Sequence, residues 1–169
     1  MTTAELLLQD FDHEMAGVRK TLERIPEANP DYKPHEKSMA MGRLAMHVAT
    51  LPSFGKYIMT ESGMDLQNTK LPHPDMTFKS RADLLAQFDK HAAEVRAALA
   101  KASDEELAQP WKFSFGEHLI SHDSRSLTYR TMFFNHLIHH RAQLGVYLRL
   151  NNEKVPGLYG PSADEPFQP

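Results

Sequence analysis

Apolar side chains recur at Leu8, Phe11, Met15, Val18, Leu22 and Ile25, in alternating steps of three and four. That spacing places them on one face of a helix. Thr2 followed by Glu5 has the form of a capping box at its start. Pro26, Pro30 and Pro34 then predict an extended connection. A second helix is expected from about Ser38, with Met41, Leu44, Val48 and Leu51 on its inner face. Pro52 should kink or divide it, because proline lacks the amide hydrogen and crowds the preceding turn. The pattern resumes with Phe54 and Ile58 and stops near Gly63.

After Pro72 and Pro74, Ser80 and Asp83 read as a further capping box. They precede a third helix striped by Leu85, Phe88, Ala92, Val95 and Leu99. Ser103 should cap a short turn through Asp104-Glu105-Glu106-Leu107. From Pro110 to Ser124 no helical period exists, and Trp111, Phe113, Phe115 and a Gly-Glu pair suggest a short hairpin or packed loop. The fourth helix, about Ser126 to Leu150, is apolar around most of its circumference and is expected to be the most buried. Beyond about residue 151 the Pro/Gly-rich tail should be irregular. Four long helices joined by short segments predict an all-α four-helix bundle, one domain over residues 1–169.

Composition narrows the chemistry. A chain 41% hydrophobic and 24% charged fits a globular protein with a real core. The formal net charge of -3 provides no basic field, so nucleic acid is not an expected partner. The N-terminal segment lacks the basic start of a signal peptide, and no apolar run reaches membrane-span length. With no cysteine, disulfides, thiolate sites and cysteine nucleophiles are excluded together. That absence fits a reducing, cytoplasmic setting. Gly-rich phosphate loops and a nucleophile elbow are also missing. Nine methionines are most simply core filling.

Ten histidines are many for this length. His136 and His140 stand four apart, so they project from neighbouring turns of one face and can share a metal ion. Spacing alone is a weak signal. His47, at the edge of the second helix's apolar sector, adds a third imidazole whose nitrogens need partners away from water. His139 competes with His140: from His136, the one lies about 60° round the helix and the other about 40° the opposite way. Phe133, Leu144 and Tyr147 share the sector of His140, which favours it. His91 is a candidate for a supporting role, as are Gln143 and Tyr147; Arg141 is expected to pair with a carboxylate on another helix. His13 should be solvated, and His35, His73, His118 and His122 fall in connections. The His136-to-His140 segment lacks the glutamate of the zinc-protease motif.

Two stretches carry a family resemblance. PHEKSMAMGRLAMHVATLP, ending at Pro52, and NHLIHHRAQLGVYLRLNNEKVPGLYGPSADE, starting at Asn135, resemble the helix-two and helix-four signatures of the DinB family. PWKFSFGEHLIS resembles the family's segment between helices three and four. The resemblance implies a bundle in up-down-down-up order and a metal held by three histidines, matching His47, His136 and His140. It also implies a homodimer and, from relatives, a thiol-dependent transferase or isomerase using a low-molecular-weight thiol. Ala142 departs from the glycine frequent there.

Three imidazoles plus an open position is the pattern of a catalytic rather than a structural zinc site. The expected cofactor is one divalent transition metal, zinc first and nickel second, since imidazole suits several ions. The leading reading is a metal-dependent enzyme with a small-molecule substrate. A non-catalytic metal-binding or stress-response protein, with a sealed site, is the alternative.

Overall fold

The computed structural model describes residues 1–68 and 74–167. Helix α1 (Thr3–Leu22) begins at the expected capping box: the Thr2 hydroxyl accepts from the Glu5 amide, and the Glu5 carboxylate accepts from the Thr2 amide. Helix α2 (Met41–Thr60) starts later than Ser38, and Ala40 provides no side-chain cap. It runs through Pro52 undivided. Helix α3 (Arg81–Leu99) is capped by Ser80, which accepts from the Asp83 amide. No reciprocal bond forms, and Asp83 is one methylene shorter than the glutamate of a full box. The short α4 (Asp104–Ala108) carries a complete box from Ser103 and Glu106.

The last helical rod is continuous but not uniform. Helix α5 (Arg125–Thr128) passes into a π-helical stretch, Tyr129–Phe134, and then into α6 (Asn135–Leu150). Helix α2, not this rod, is the most enclosed element. Twelve of its twenty residues are buried, against five of sixteen in α6. α2 packs on α3, α6 and the π-helical stretch, while α1 packs on α3 and α6 and meets α2 only slightly. Phe11, Val18, Leu22, Leu44, Val48, Phe88, Val95, Phe133 and Leu144 form a shared core. Gly55 of α2 allows the close approach of the Phe133 ring, which a β-carbon there would meet at 2.6 Å.

The expectation of an all-α bundle fails. A three-stranded mixed sheet sits beside the helices: β1 (Gly63–Asp65) pairs parallel with β2 (Pro110–Phe115), which pairs antiparallel with β3 (His118–Ser124). The physical reason is local. In β2, Trp111 and Phe113 are buried while Lys112 between them is exposed, the period of a strand with one face on a core. The hairpin turns at Gly116, whose φ of 56° favours glycine. Gly116 donates to the Asp65 carboxylate at 2.7 Å, and the Trp111 indole donates to the Glu61 carbonyl at 2.9 Å. Those bonds tie the hairpin to the end of α2 and recruit β1, which the sequence pattern did not indicate.

Beyond Leu150 the described chain forms turns and bends. It is held to the helices by Asp164, which accepts from Arg149 and from the Val155 amide, and by Tyr159.

Candidate metal centre

The three histidines singled out from the sequence come together. His47 projects from α2; His136 and His140 project from successive turns of α6. Their ligand nitrogens all lie within 4.8 Å of one another. Nε2 of His136 is 3.5 Å from Nε2 of His47 and 2.8 Å from Nε2 of His140. All three are half-buried.

Their outer nitrogens decide the tautomers. His140 Nδ1 lies 2.7 Å from the Gln143 side-chain oxygen, and His136 Nδ1 lies 3.3 Å from the Met132 carbonyl. Both oxygens can only accept, so both Nδ1 atoms carry the proton. In a neutral imidazole the opposite nitrogen is then a bare lone pair. Two such lone pairs face each other at 2.8 Å, an arrangement that repels unless a cation lies between them. Burial, followed by the neighbouring His140, His136 and Arg43, lowers the His47 pKa to about 4. Burial also lowers that of His140, against the opposing hydrogen bond from Gln143. His47 and His140 are thus held toward their neutral, metal-binding forms. Imidazole nitrogens about 2.0 Å from a tetrahedral ion stand roughly 3.3 Å apart, within the range observed here. The residues present fit a divalent transition metal.

The supporting groups follow the same chemistry. The Gln143 amide spans two rings: its oxygen accepts from His140, and its nitrogen donates to Nε2 of exposed His139 at 3.1 Å. His139 thus stands outside the triad and touches it through Gln143. Such outer contacts orient metal-binding imidazoles. Tyr147 does not join the site; its hydroxyl donates to the Met39 carbonyl. Arg141 pairs with Glu14 of α1 at 2.6 Å, as expected of it. His13, His35, His118 and His122 are exposed, and His73 lies outside the described residues.

The π-helical stretch was missed by sequence reasoning. It ends two residues before His136 and contains Met132, whose carbonyl holds that ring. Bonds to the fifth rather than the fourth residue shift the phase of everything that follows, a feature frequent at functional sites. No residue type signals it.

Two cavities reach the triad. His47 and His136 border one of about 650 Å³. His140 and Gln143 border another of about 390 Å³, beside Lys37 and Tyr147. Among the described residues no fourth histidine or carboxylate joins the group.

The DinB family matches the chain over residues 1–168. The chain belongs to the DinB family. Two solved DinB-like proteins share its fold. One, from Bacillus subtilis, has a TM-score of 0.69 at 20% identity, covering 90% of this chain and 96% of its own. The other, from Bacillus cereus ATCC 10987, has a TM-score of 0.64 at 22% identity, covering 90% and 95%. No curated protein matches. Within this DinB-family chain, His47, His136 and His140 form the group that could hold a metal ion. Among the described residues, no helix is long and apolar enough to cross a membrane.

Proposed function

We propose that the chain is a metal-dependent enzyme acting on a small molecule, with one divalent transition metal held by His47, His136 and His140. The observation that carries this reading is the pair of facing lone pairs on His136 and His140, 2.8 Å apart beside a cavity. Three ligands with no fourth among the described residues leave room for an exchangeable one. Zinc is the first choice and nickel the second.

A bound ion would supply Lewis acidity, or lower the pKa of a water or thiol toward neutrality. The chain's own residues do the rest. Met132 and Gln143 hold two imidazoles in the tautomer that presents Nε2. Met46, Phe54 and Met64 give the cavity beside the site an apolar lining. Since the chain has no cysteine, any thiolate must come from a low-molecular-weight cosubstrate. The resemblance of the helix-two and helix-four motifs to the DinB family implies thiol-dependent transfer or isomerisation. The same resemblance implies a homodimer, which light scattering at micromolar concentration tests separately. A cytoplasmic location accords with the missing cysteines.

Elemental analysis of protein purified without a nickel column should find about one transition-metal ion per chain. Cobalt-substituted protein should develop a sulfur-to-metal charge-transfer band when a cellular thiol is added. Protein that is metal-free and cannot be reloaded would overturn the metal reading. A metal-loaded protein that shows no band across several thiols would overturn the thiol reading alone.

A further inference from the structure

The 650 Å³ cavity has two unlike walls. One is apolar and rich in methionine: Met46, Met64, Met76 and Met132 all border it, with Phe54 and Phe113. The other is a polar ladder on α3, where Asp83, Gln87 and His91 recur every fourth residue and so share one helix face. The metal-site end is marked by His47 and His136. The volume lies in the range of small-molecule sites, which are mostly apolar with a few placed polar groups.

Charge on the walls selects against anions. Lys79 is already paired with Asp75 at 3.0 Å. Asp83 adds a further negative charge, supported by the N-terminus of α3. No unpaired cation among the described lining residues is left for a carboxylate or phosphate. His91 in this wall has a side chain only 15% exposed. Its Nδ1 is buried without a hydrogen-bond partner, 3.9 Å from the Glu94 carboxylate. Burial lowers its pKa, so the ring is neutral. The Glu94 carboxylate is too far for a hydrogen bond but favours the proton on the enclosed Nδ1, which leaves Nε2 as the ring's acceptor.

We infer that this cavity binds an uncharged, largely apolar small molecule carrying a hydrogen-bond donor that His91 accepts, with the reacting end at His47 and His136. The inference rests on the metal-enzyme reading for its reacting end. Four flexible thioethers adapt to different outlines, so apolar bulk rather than a fixed shape should govern affinity. A hydroxyl or amide hydrogen is the donor that fits a neutral imidazole.

Trp111, the single tryptophan, packs edge-on against Phe54 and at a tilt against Phe113, both of which line the cavity, and can report occupancy by fluorescence. The full chain is titrated with n-butanol, n-hexanol and n-octanol, with alkyl methyl ethers of matching length, and with octanoate. Each titration is run on metal-loaded and on metal-stripped protein, so that cavity binding is read independently of the ion. Affinity should rise about tenfold for each added pair of methylenes. Alcohols should exceed ethers several-fold. In stripped protein octanoate should bind more weakly than octanol. His91→Leu should remove the preference for alcohol over ether while ether affinity holds, and His91→Gln should restore it. Affinity independent of chain length would overturn the inference, as would octanoate matching octanol in stripped protein or a His91→Leu loss equal for both series. Failure of the metal reading shows separately, as chain-length-dependent binding in a protein that takes up no ion.

Discussion

Two polar clusters meet on α6, one residue apart. His140 belongs to a group of three imidazoles whose ligand nitrogens converge within 4.8 Å of one another. Arg141 belongs to a group that is complete in itself. Its guanidinium donates to Glu14 and to the Tyr159 hydroxyl, and Tyr159 donates to Glu14 at 2.7 Å. Arg141 is 3% exposed and the Glu14 side chain 11%. Both clusters gather polar atoms away from bulk water, but only the second is matched by a carboxylate of the protein itself. A buried ion pair closed by its own carboxylate and hydroxyl partners is structural: it clamps the irregular tail and α1 onto α6. A half-buried set of imidazole nitrogens that converge on one point suits a cation. The contrast separates a binding site from scaffolding more sharply than burial or histidine count does.

The largest expected effect breaks the first cluster. His47→Ala, His136→Ala and His140→Ala should each abolish stoichiometric metal binding, measured by elemental analysis after dialysis. Each variant should also lose the rise in melting temperature that the ion gives the native state. Retention of one equivalent by any of the three would show that the convergence of that ring is incidental.

Breaking the second cluster should reverse the pattern. Arg141→Met leaves Glu14 buried without its partner and should cost about 3–5 kcal/mol in denaturant unfolding. The folded fraction should still bind metal. If metal is lost at conditions where the variant is folded, the two clusters are coupled through α6 and the separation argued above fails.

Acid should act on the triad in one direction. Because the folded-state pKa of His47 is lowered to about 4, the unfolded chain binds more protons than the native one between there and the ordinary histidine value. Metal-free protein should therefore lose stability as pH falls through that window, with no further loss from His47 below it. His140, also lowered, adds in the same sense. Denaturant midpoints across the range measure this, and His47→Ala should flatten part of the slope.

The smallest effects concern the outer contacts. Gln143→Leu removes the acceptor that fixes His140 and should weaken metal binding about 10–100-fold. His139→Ala touches the site only through Gln143 and should keep full stoichiometry. Competition with a chromogenic chelator resolves both. An empty site in His139→Ala would mean that the His140 face of α6 has been misassigned.

Much of this was legible along the chain because it is local. Helical stripes, the caps at Thr2 and Ser103, and the shared face of His136 and His140 depend on residues within one or two turns of each other. The choice of His140 over His139 also rests on local grounds, since apolar neighbours mark the inward sector, and the structure brings Nε2 of His140 to 2.8 Å from His136. Pro52 misled for the opposite reason. Its local penalty is real, but α2 packs against α3, α6 and the π-helical stretch, and tertiary burial holds one helix together through it.

By itself, then, the sequence determined which segments are helical, which side of each is apolar, and which imidazoles were available to a metal. Only the tertiary structure decided that His47 comes within 3.5 Å of His136 across eighty-nine residues. It alone turned a hairpin into a mixed sheet by adding Gly63–Asp65. It also set the phase of α6 with a π-helical stretch and opened a cavity between α2 and the polar face of α3. Helical periodicity is a property of neighbours and is written in order along the chain. Convergence, strand pairing and cavities depend on how distant surfaces fit, and that is settled only when every face has been buried at once.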